Sequence, residues 1–144
     1  QLLLAAAAYH DCGFLGSNDQ HEEMSCAIAQ EWLPEYGFTK RQIEVVQEMI
    51  MATIIPQNPK NHLEQVLCDA DLYYLGGDDY DKISRGLYEE ILFHANTMSE
   101  SEWLEVQIEF LESQHYWTNH CINTRTKQKE AVLKRLRLQM SNSK

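Results

Sequence analysis

The sequence lacks several features that would mark a secreted, membrane-spanning or β-rich protein. Its four cysteines show no Cys-x-x-Cys spacing, which argues against a cysteine-built zinc site and favours reduced, buried thiols in a cytoplasmic protein. No apolar run reaches the roughly 20 residues that cross a bilayer, and the opening apolar segment has no basic leader of a signal peptide. No segment shows the period-two alternation and Asn-Gly turns of a β-hairpin. These absences favour a helical protein that does not cross a membrane.

Basic residues are also scarce, with 12 Lys and Arg against 22 Asp and Glu and a formal net charge of -10. Seven of those 12 basic residues lie in residues 125–144, so the rest of the chain is strongly acidic. An acidic body argues against binding nucleic acid through its phosphates. The basic segment is interpreted as a solvated helix face, with a local anion-binding patch as the alternative.

Apolar periodicity predicts helices almost throughout the chain. Capping boxes at Thr39/Gln42 and Ser99/Glu102 mark two helix starts, and the stretch PQNPKN at 56–61 predicts a loop. The fold class is therefore all-α, with a single compact domain of about six or seven helices over residues 1–144. The predicted helices cover 2–10, about 21–35, Thr39 to Thr53, 63 to the Gly76-Gly77 pair, about 83–96, Ser99 past Phe110, and about 123–139, and 12–20 is predicted to be a loop. The apolar face is predicted at Ile83, Leu87 and Ile91 in the fifth of these helices, and at Val132, Leu133, Leu136 and Met140 in the last.

Two short strings carry the chemistry. His10-Asp11 closes the apolar segment LLLAAAAY, and Asp69 and Asp71 lie in the apolar segment VLCDADLYYLG about sixty residues later. Asp71 follows Leu67 by four positions, so it lies near the buried helix face, with no Lys or Arg at helical spacing to pair with it. Carboxylates are costly to bury unless they are paired or bind a metal, and imidazole with carboxylates is a ligand set for divalent metals. The alternatives are a helix-terminal His with a capping Asp for the doublet, and a solvent-facing Asp69.

The strings AAAYHD, HEEMS and LCDADLYYLG, with the loop after IMAT that carries two prolines, resemble the HD-domain superfamily of metal-dependent phosphohydrolases over roughly residues 2–80. The resemblance implies an HD-domain-like helical bundle in which His10, Asp11 and Asp71 bind the metal. It gives Asp69 a catalytic, supporting or structural role beside the ligands. In that superfamily another ligand histidine lies on a helix before the doublet, so we expect this chain to be a fragment that begins just after that helix.

Other polar residues have weaker assignments. His21 is a candidate for a second metal or for substrate contact, and the alternative is an ordinary residue at a helix start. Glu22 could orient a water molecule or a substrate group, and the alternative is a first-turn acid that stabilises its helix. Lys60 in the proline loop is a candidate for a phosphate contact, and so are Arg125, Lys127 and Lys129 in the basic segment.

The resemblance and the ligand set together predict hydrolysis of a small phosphate ester, with a nucleotide as one candidate, by a metal-activated water molecule. A mixed nitrogen and oxygen ligand set suits Mn, Mg, Fe, Co or Ni. The expected partner is a small phosphorylated substrate, with no nucleic acid and no membrane, and the expected location is cytoplasmic. A non-catalytic HD-fold module that binds a ligand or regulates a partner is the main alternative, and a di-iron oxygenase is a further one.

Overall fold

A computed structural model describes residues 1–15, 20–95 and 97–142 of the chain. The described residues contain seven α-helices and no strand, which confirms the all-α prediction. Three short 3-10 turns follow the first, second and fourth helices, at Cys12–Leu15, Leu33–Tyr36 and Tyr73–Gly76. Among these residues no helix is both long and apolar enough to cross a membrane. The helices are α1 (Leu2–Tyr9), α2 (His21–Trp32), α3 (Lys40–Met51), α4 (His62–Asp71), α5 (Tyr80–Ala95), α6 (Glu100–Ser113) and α7 (Asn119–Asn142).

The chain divides into two compact units, Gln1–Asp71 and Leu72–Lys144. In the first unit, α3 packs against α1, α2 and α4. The predicted capping box opens α3, because the Thr39 side chain accepts from the Gln42 N–H and the Gln42 side chain accepts from the Thr39 N–H. The predicted loop at 12–20 is a 3-10 turn at its start, and its residues 16–19 lie outside the described residues. The buried core of the unit consists of Ala6, Ala29, Leu33, Ile43, Val46, Met49, Ile50 and Leu67.

The fourth helix begins after the predicted proline loop, and it ends earlier than predicted. Asn61 caps its start by accepting hydrogen bonds from the backbone N–H groups of Leu63 and Glu64. The sequence predicts a helix that runs to the Gly76-Gly77 pair, but the α-helix stops at Asp71 and the chain tightens into the 3-10 turn at Tyr73–Gly76. Asp71 is therefore the last residue of α4, so its side chain lies at the end of the helix.

In the second unit, α7 packs against α6 and against the 3-10 turn at Tyr73–Gly76. The predicted Ser99/Glu102 capping box opens α6, and Val132 and Leu136 lie on the buried side of α7 as predicted. In α5 the buried face differs from the prediction, since Leu87 is 39% exposed. The buried positions of α5 are Tyr80, Ser84 and Tyr88. Tyrosine suits such positions because it is long enough to bury its ring and still reach a hydrogen-bond partner.

Candidate metal centre

The three predicted ligands come together at the ends of two helices of the first unit. His10 is the C-terminal cap of α1, Asp11 follows it directly, and Asp71 ends α4. The two helices pack against each other, so residues that are sixty positions apart share one site. One ligand atom from each of the three side chains lies within 4.8 Å of the other two. The structure thus brings together the three side chains that the sequence predicted to be ligands.

The individual distances fit the coordination of one ion. His10 Nε2 is 3.3 Å from Asp11 Oδ2 and 3.6 Å from Asp71 Oδ1. Two nitrogen or oxygen ligands at about 2.1 Å from the same metal lie at most about 4.2 Å apart. Both distances fall within that limit, so an ion could bind between His10 and either carboxylate without a large movement of the side chains.

The imidazole of His10 is held in the orientation that metal ligation needs. Its Nδ1 lies 2.9 Å from the Ala7 carbonyl oxygen, so Nδ1 donates its proton there and Nε2 faces the carboxylates. Histidine ligands commonly have one ring nitrogen fixed by a backbone carbonyl in this way. Without a metal, the hydrogen bond to Asp71 and the bond to Ala7 raise the His10 pKa to about 9 against the opposing effect of burial. Metal and proton would therefore compete for Nε2.

The carboxylates have no lysine or arginine to neutralise them within the described part of the chain, where their ion-pair partners are histidines. Burial raises the pKa of Asp11, and the negative charge of Asp71 raises it further, while His10 lowers it. An acid whose pKa is raised in this way is destabilised in its charged form. A divalent cation would supply the missing positive charge, so the donor set fits a metal ion.

His21 and Glu22 extend the group on the far side of Asp11. His21 Nε2 is 3.8 Å from Asp11 Oδ1 and 3.3 Å from Glu22 Oε1. Asp11 therefore presents one oxygen to His10 and the other to His21. Both residues lie in the first turn of α2, and their side chains are largely covered, with 20% exposure for His21 and 13% for Glu22. Both residues thus lie beside the predicted ligands, and their roles there stay predictions.

A small set of contacts fixes the turn between α1 and α2. The buried hydroxyl of Ser25 donates to the His10 carbonyl at 2.7 Å and accepts from the Gly13 N–H at 2.8 Å. A Cβ atom on Gly13 would lie 1.8 Å from the carbonyl oxygen of His21, so only glycine allows this close approach. Phe14 stacks on His21, with ring centroids 3.7 Å apart. These contacts hold the His10-Asp11 doublet against the start of α2.

Gln57 is a contributor that the sequence did not reveal. Its side chain is buried, and its Nε2 donates to the Cys68 carbonyl at 3.2 Å and to Asp71 Oδ2 at 3.4 Å. This leaves Asp71 Oδ1 facing His10. The only signal in the sequence was a polar residue between two prolines, which by itself predicts a loop. Packing of that loop on α4 gives Gln57 its contact with the site.

Asp69, Lys60 and Arg125 make other contacts in the structure. Asp69 is 3% exposed, which excludes the solvent-facing alternative, and it does not belong to the group of ligand atoms found among the described residues. Lys60 lies beside a separate cleft of about 700 Å³, and its backbone N–H donates to the buried Glu64. Arg125 belongs to the second unit, where its guanidinium donates to the Gly76 carbonyl and stacks on the ring of Tyr73 at 3.7 Å.

Comparisons of the chain with known protein families, with curated proteins and with solved structures find no match. The functional conclusion therefore depends on the geometry and chemistry of the residues themselves.

Proposed function

We propose that this protein is a metal-dependent phosphohydrolase that hydrolyses a small phosphate ester, with His10, Asp11 and Asp71 as the metal ligands. The convergence of their three ligand atoms within 4.8 Å carries the proposal. The resemblance of the same residues to the HD-domain superfamily supports it. The fixed Nδ1 of His10 supports it further, because an imidazole held in this way has its other nitrogen available for a metal.

The ligand set also limits the choice of ion. One nitrogen and two carboxylate groups without sulfur suit Mn, Mg, Fe, Co or Ni. When bound, such an ion supplies Lewis acidity, which acidifies water and offsets negative charge on a phosphoryl group. The acidic surroundings make that charge compensation necessary, since Asp11 and Asp71 would otherwise repel a phosphate.

The protein's own residues have distinct tasks in this proposal. Asp11 is 56% exposed, so it is the ligand best able to accept a hydrogen bond from an incoming water molecule. Asp71 is largely covered, and Gln57 fixes one of its oxygens. His10 would bind the ion through Nε2 in its neutral form. Asp11 would thus orient the nucleophile, while Asp71 and His10 would hold the ion.

We further propose that His21 contributes a second metal ligand or a substrate contact. Its Nε2 lies within 4 Å of both Asp11 and Glu22, which is an arrangement suited to a second cation or to a donor group on the substrate. A count of metal ions separates the two roles. Two ions per chain, falling to one in His21→Gln, would indicate a second metal. One ion in both proteins, with a raised KM for the ester in His21→Gln, would indicate a substrate contact.

The first experiment is metal content by plasma mass spectrometry on wild type, Asp71→Asn and Glu23→Gln. Glu23 is the matched control because it is an exposed acid on α2. We expect near-stoichiometric metal in wild type and Glu23→Gln, and a loss in Asp71→Asn with an unchanged circular dichroism spectrum. No metal in any protein after loading would contradict the proposal and favour the non-catalytic module.

The second experiment is a screen of phosphate esters with the manganese-loaded protein. Removing a metal ligand should abolish turnover, so we expect no phosphate release from Asp71→Asn and full activity in Glu23→Gln. Metal binding without turnover of any ester would support the metal site but contradict the assignment as a hydrolase. Oxygen consumption in the presence of iron would instead favour the oxygenase alternative.

A further inference from the structure

Phe14 is a large apolar side chain that is half exposed beside the candidate metal centre. Phe14 is 48% exposed, although one face of its ring stacks on the His21 imidazole with 18° between the two planes. Because His21 covers that face, a further aromatic ring could stack only on the opposite face. Ligand-binding sites are commonly lined by aromatic side chains together with a small number of polar groups.

The position of this ring is fixed by its neighbours along the chain. Gly13 is buried and bonded to Ser25, and it approaches the His21 backbone so closely that no side chain fits there. Phe14 follows directly, so its stacking on His21 is set by a tightly packed backbone. A ring held in advance loses little conformational freedom when a second ring stacks on it.

The ring lies within reach of the ligand group. Its centroid is 3.7 Å from that of His21, and His21 Nε2 is 3.8 Å from Asp11 Oδ1. Two contacts thus connect Phe14, through His21, to the carboxylate proposed to bind the metal. A molecule with a phosphate at the metal would need a spacer between the phosphate and a ring stacked on the opposite face of Phe14.

We propose that the face of Phe14 opposite His21 stacks on an aromatic ring of the substrate, so that the preferred substrates are phosphate esters carrying such a ring. The proposal rests on the proposed function for the identity of the phosphate site. A nucleobase and a simple aryl group share this stacking chemistry, because both present a flat π-face. They differ in the distance from ring to phosphate, since a ribose separates the two in a nucleoside monophosphate.

The kinetic test compares adenosine monophosphate, phenyl phosphate and glycerol 3-phosphate as substrates of the manganese-loaded protein. The variants are Phe14→Leu, which keeps an apolar side chain, and Phe14→Trp, which keeps an aromatic one. Leu15→Ala is the matched control, because Leu15 is 90% exposed in the same turn. A partly exposed stacking contact corresponds to about fivefold to twentyfold in affinity.

We expect kcat/KM for the ring-bearing ester to fall by that factor in Phe14→Leu, mainly through KM, with little change in Phe14→Trp and in Leu15→Ala. Hydrolysis of glycerol 3-phosphate should be the same in wild type and Leu15→Ala, and in Phe14→Leu it should fall less than hydrolysis of the ring-bearing ester. The ester with the larger loss identifies the nucleotide or the aryl compound as the better match. Equal losses on ring-bearing and ring-free esters would overturn the proposal and assign Phe14 to packing against His21.

A binding measurement separates this proposal from the proposed function. Calorimetry on chelator-treated protein compares adenosine with ribose, which carry no phosphate for Asp11 and Asp71 to repel and require no turnover. We expect tighter binding of adenosine by wild type and loss of that advantage in Phe14→Leu. If wild type binds both equally, the stacking proposal fails whether or not the protein is a hydrolase. If the advantage depends on Phe14 but no ester is hydrolysed, only the proposed function fails.

Discussion

Metal-free protein should lose stability as the pH rises, because His10 holds its proton more tightly in the folded state. The hydrogen bond to Asp71 is the largest cause, and together with the other contacts it raises the His10 pKa from 6.5 to about 9 although burial opposes it. Between these two values the folded chain binds more protons than the unfolded chain. The stabilisation is therefore complete below about pH 6.5 and disappears as the pH rises through about 9.

The size of the effect follows from the displacement of the pKa and from solvent screening. A change from 6.5 to about 9 corresponds to on the order of 3 kcal/mol at most. His10 is 19% exposed, but the neighbouring Asp11 is 56% exposed, and its charge acts partly through water. We therefore expect a loss of about 1–2 kcal/mol in the free energy of unfolding between about pH 6 and about pH 9.5.

Urea unfolding in the presence of a chelator measures this loss in wild type, His10→Gln and His62→Gln. His62 is the matched control, because it is an exposed histidine at the start of α4 in the same unit. His62→Gln should lose stability with pH as wild type does, whereas His10→Gln should lose about 1–2 kcal/mol less over the same range. An equally steep pH dependence in His10→Gln would refute the assignment of a raised pKa to this residue.

Adding Mn²⁺ should reverse the trend for wild type. Ligation requires a neutral imidazole, so the metal displaces the His10 proton and binds more tightly as the pH rises. Metal at 100 times its dissociation constant stabilises the folded state by about 2.7 kcal/mol. We expect the metal-induced gain to grow between about pH 6 and about pH 9 in wild type, and a gain independent of pH would contradict proton displacement at His10.

Three further substitutions are tested by urea unfolding: two change the turn beside the site, and the third changes a helix cap. Ser25→Ala leaves the Gly13 N–H and the His10 carbonyl without their partner and should cost about 2–4 kcal/mol, so a loss below about 1 kcal/mol would mean that water replaces the hydroxyl. In Gly13→Ala the new Cβ would clash with the His21 carbonyl, which should lower the free energy of unfolding by about 3 kcal/mol or more and weaken metal binding. Unchanged metal affinity would show that the turn can shift freely. Thr39→Ala removes one capping bond of α3 and should cost about 1 kcal/mol without affecting metal binding.

Local sequence patterns predicted the helices well where short-range physics decides them. The two capping boxes each involve residues three positions apart, and both occur in the structure as predicted. The end of α4 was predicted less well, because the Gly76-Gly77 pair marks the end of the following 3-10 turn and not of the α-helix. In α5 the apolar stripe predicted Leu87 to be buried, whereas tyrosines and a serine take the buried positions.

By itself, the sequence determined that the chain is helical and that His10, Asp11 and Asp71 are polar residues in or next to apolar helical segments. Carboxylates in apolar helical segments require a partner, and this requirement can be read from spacing alone. The sequence could not determine which atoms meet, because contacts over sixty residues depend on how helices pack. Only the tertiary structure brought Asp71 within 3.6 Å of His10, aimed the buried Gln57 at the same carboxylate, and laid Phe14 on His21. The physical reason is that periodicity selects a helix face, whereas packing of helices and turns selects its neighbours.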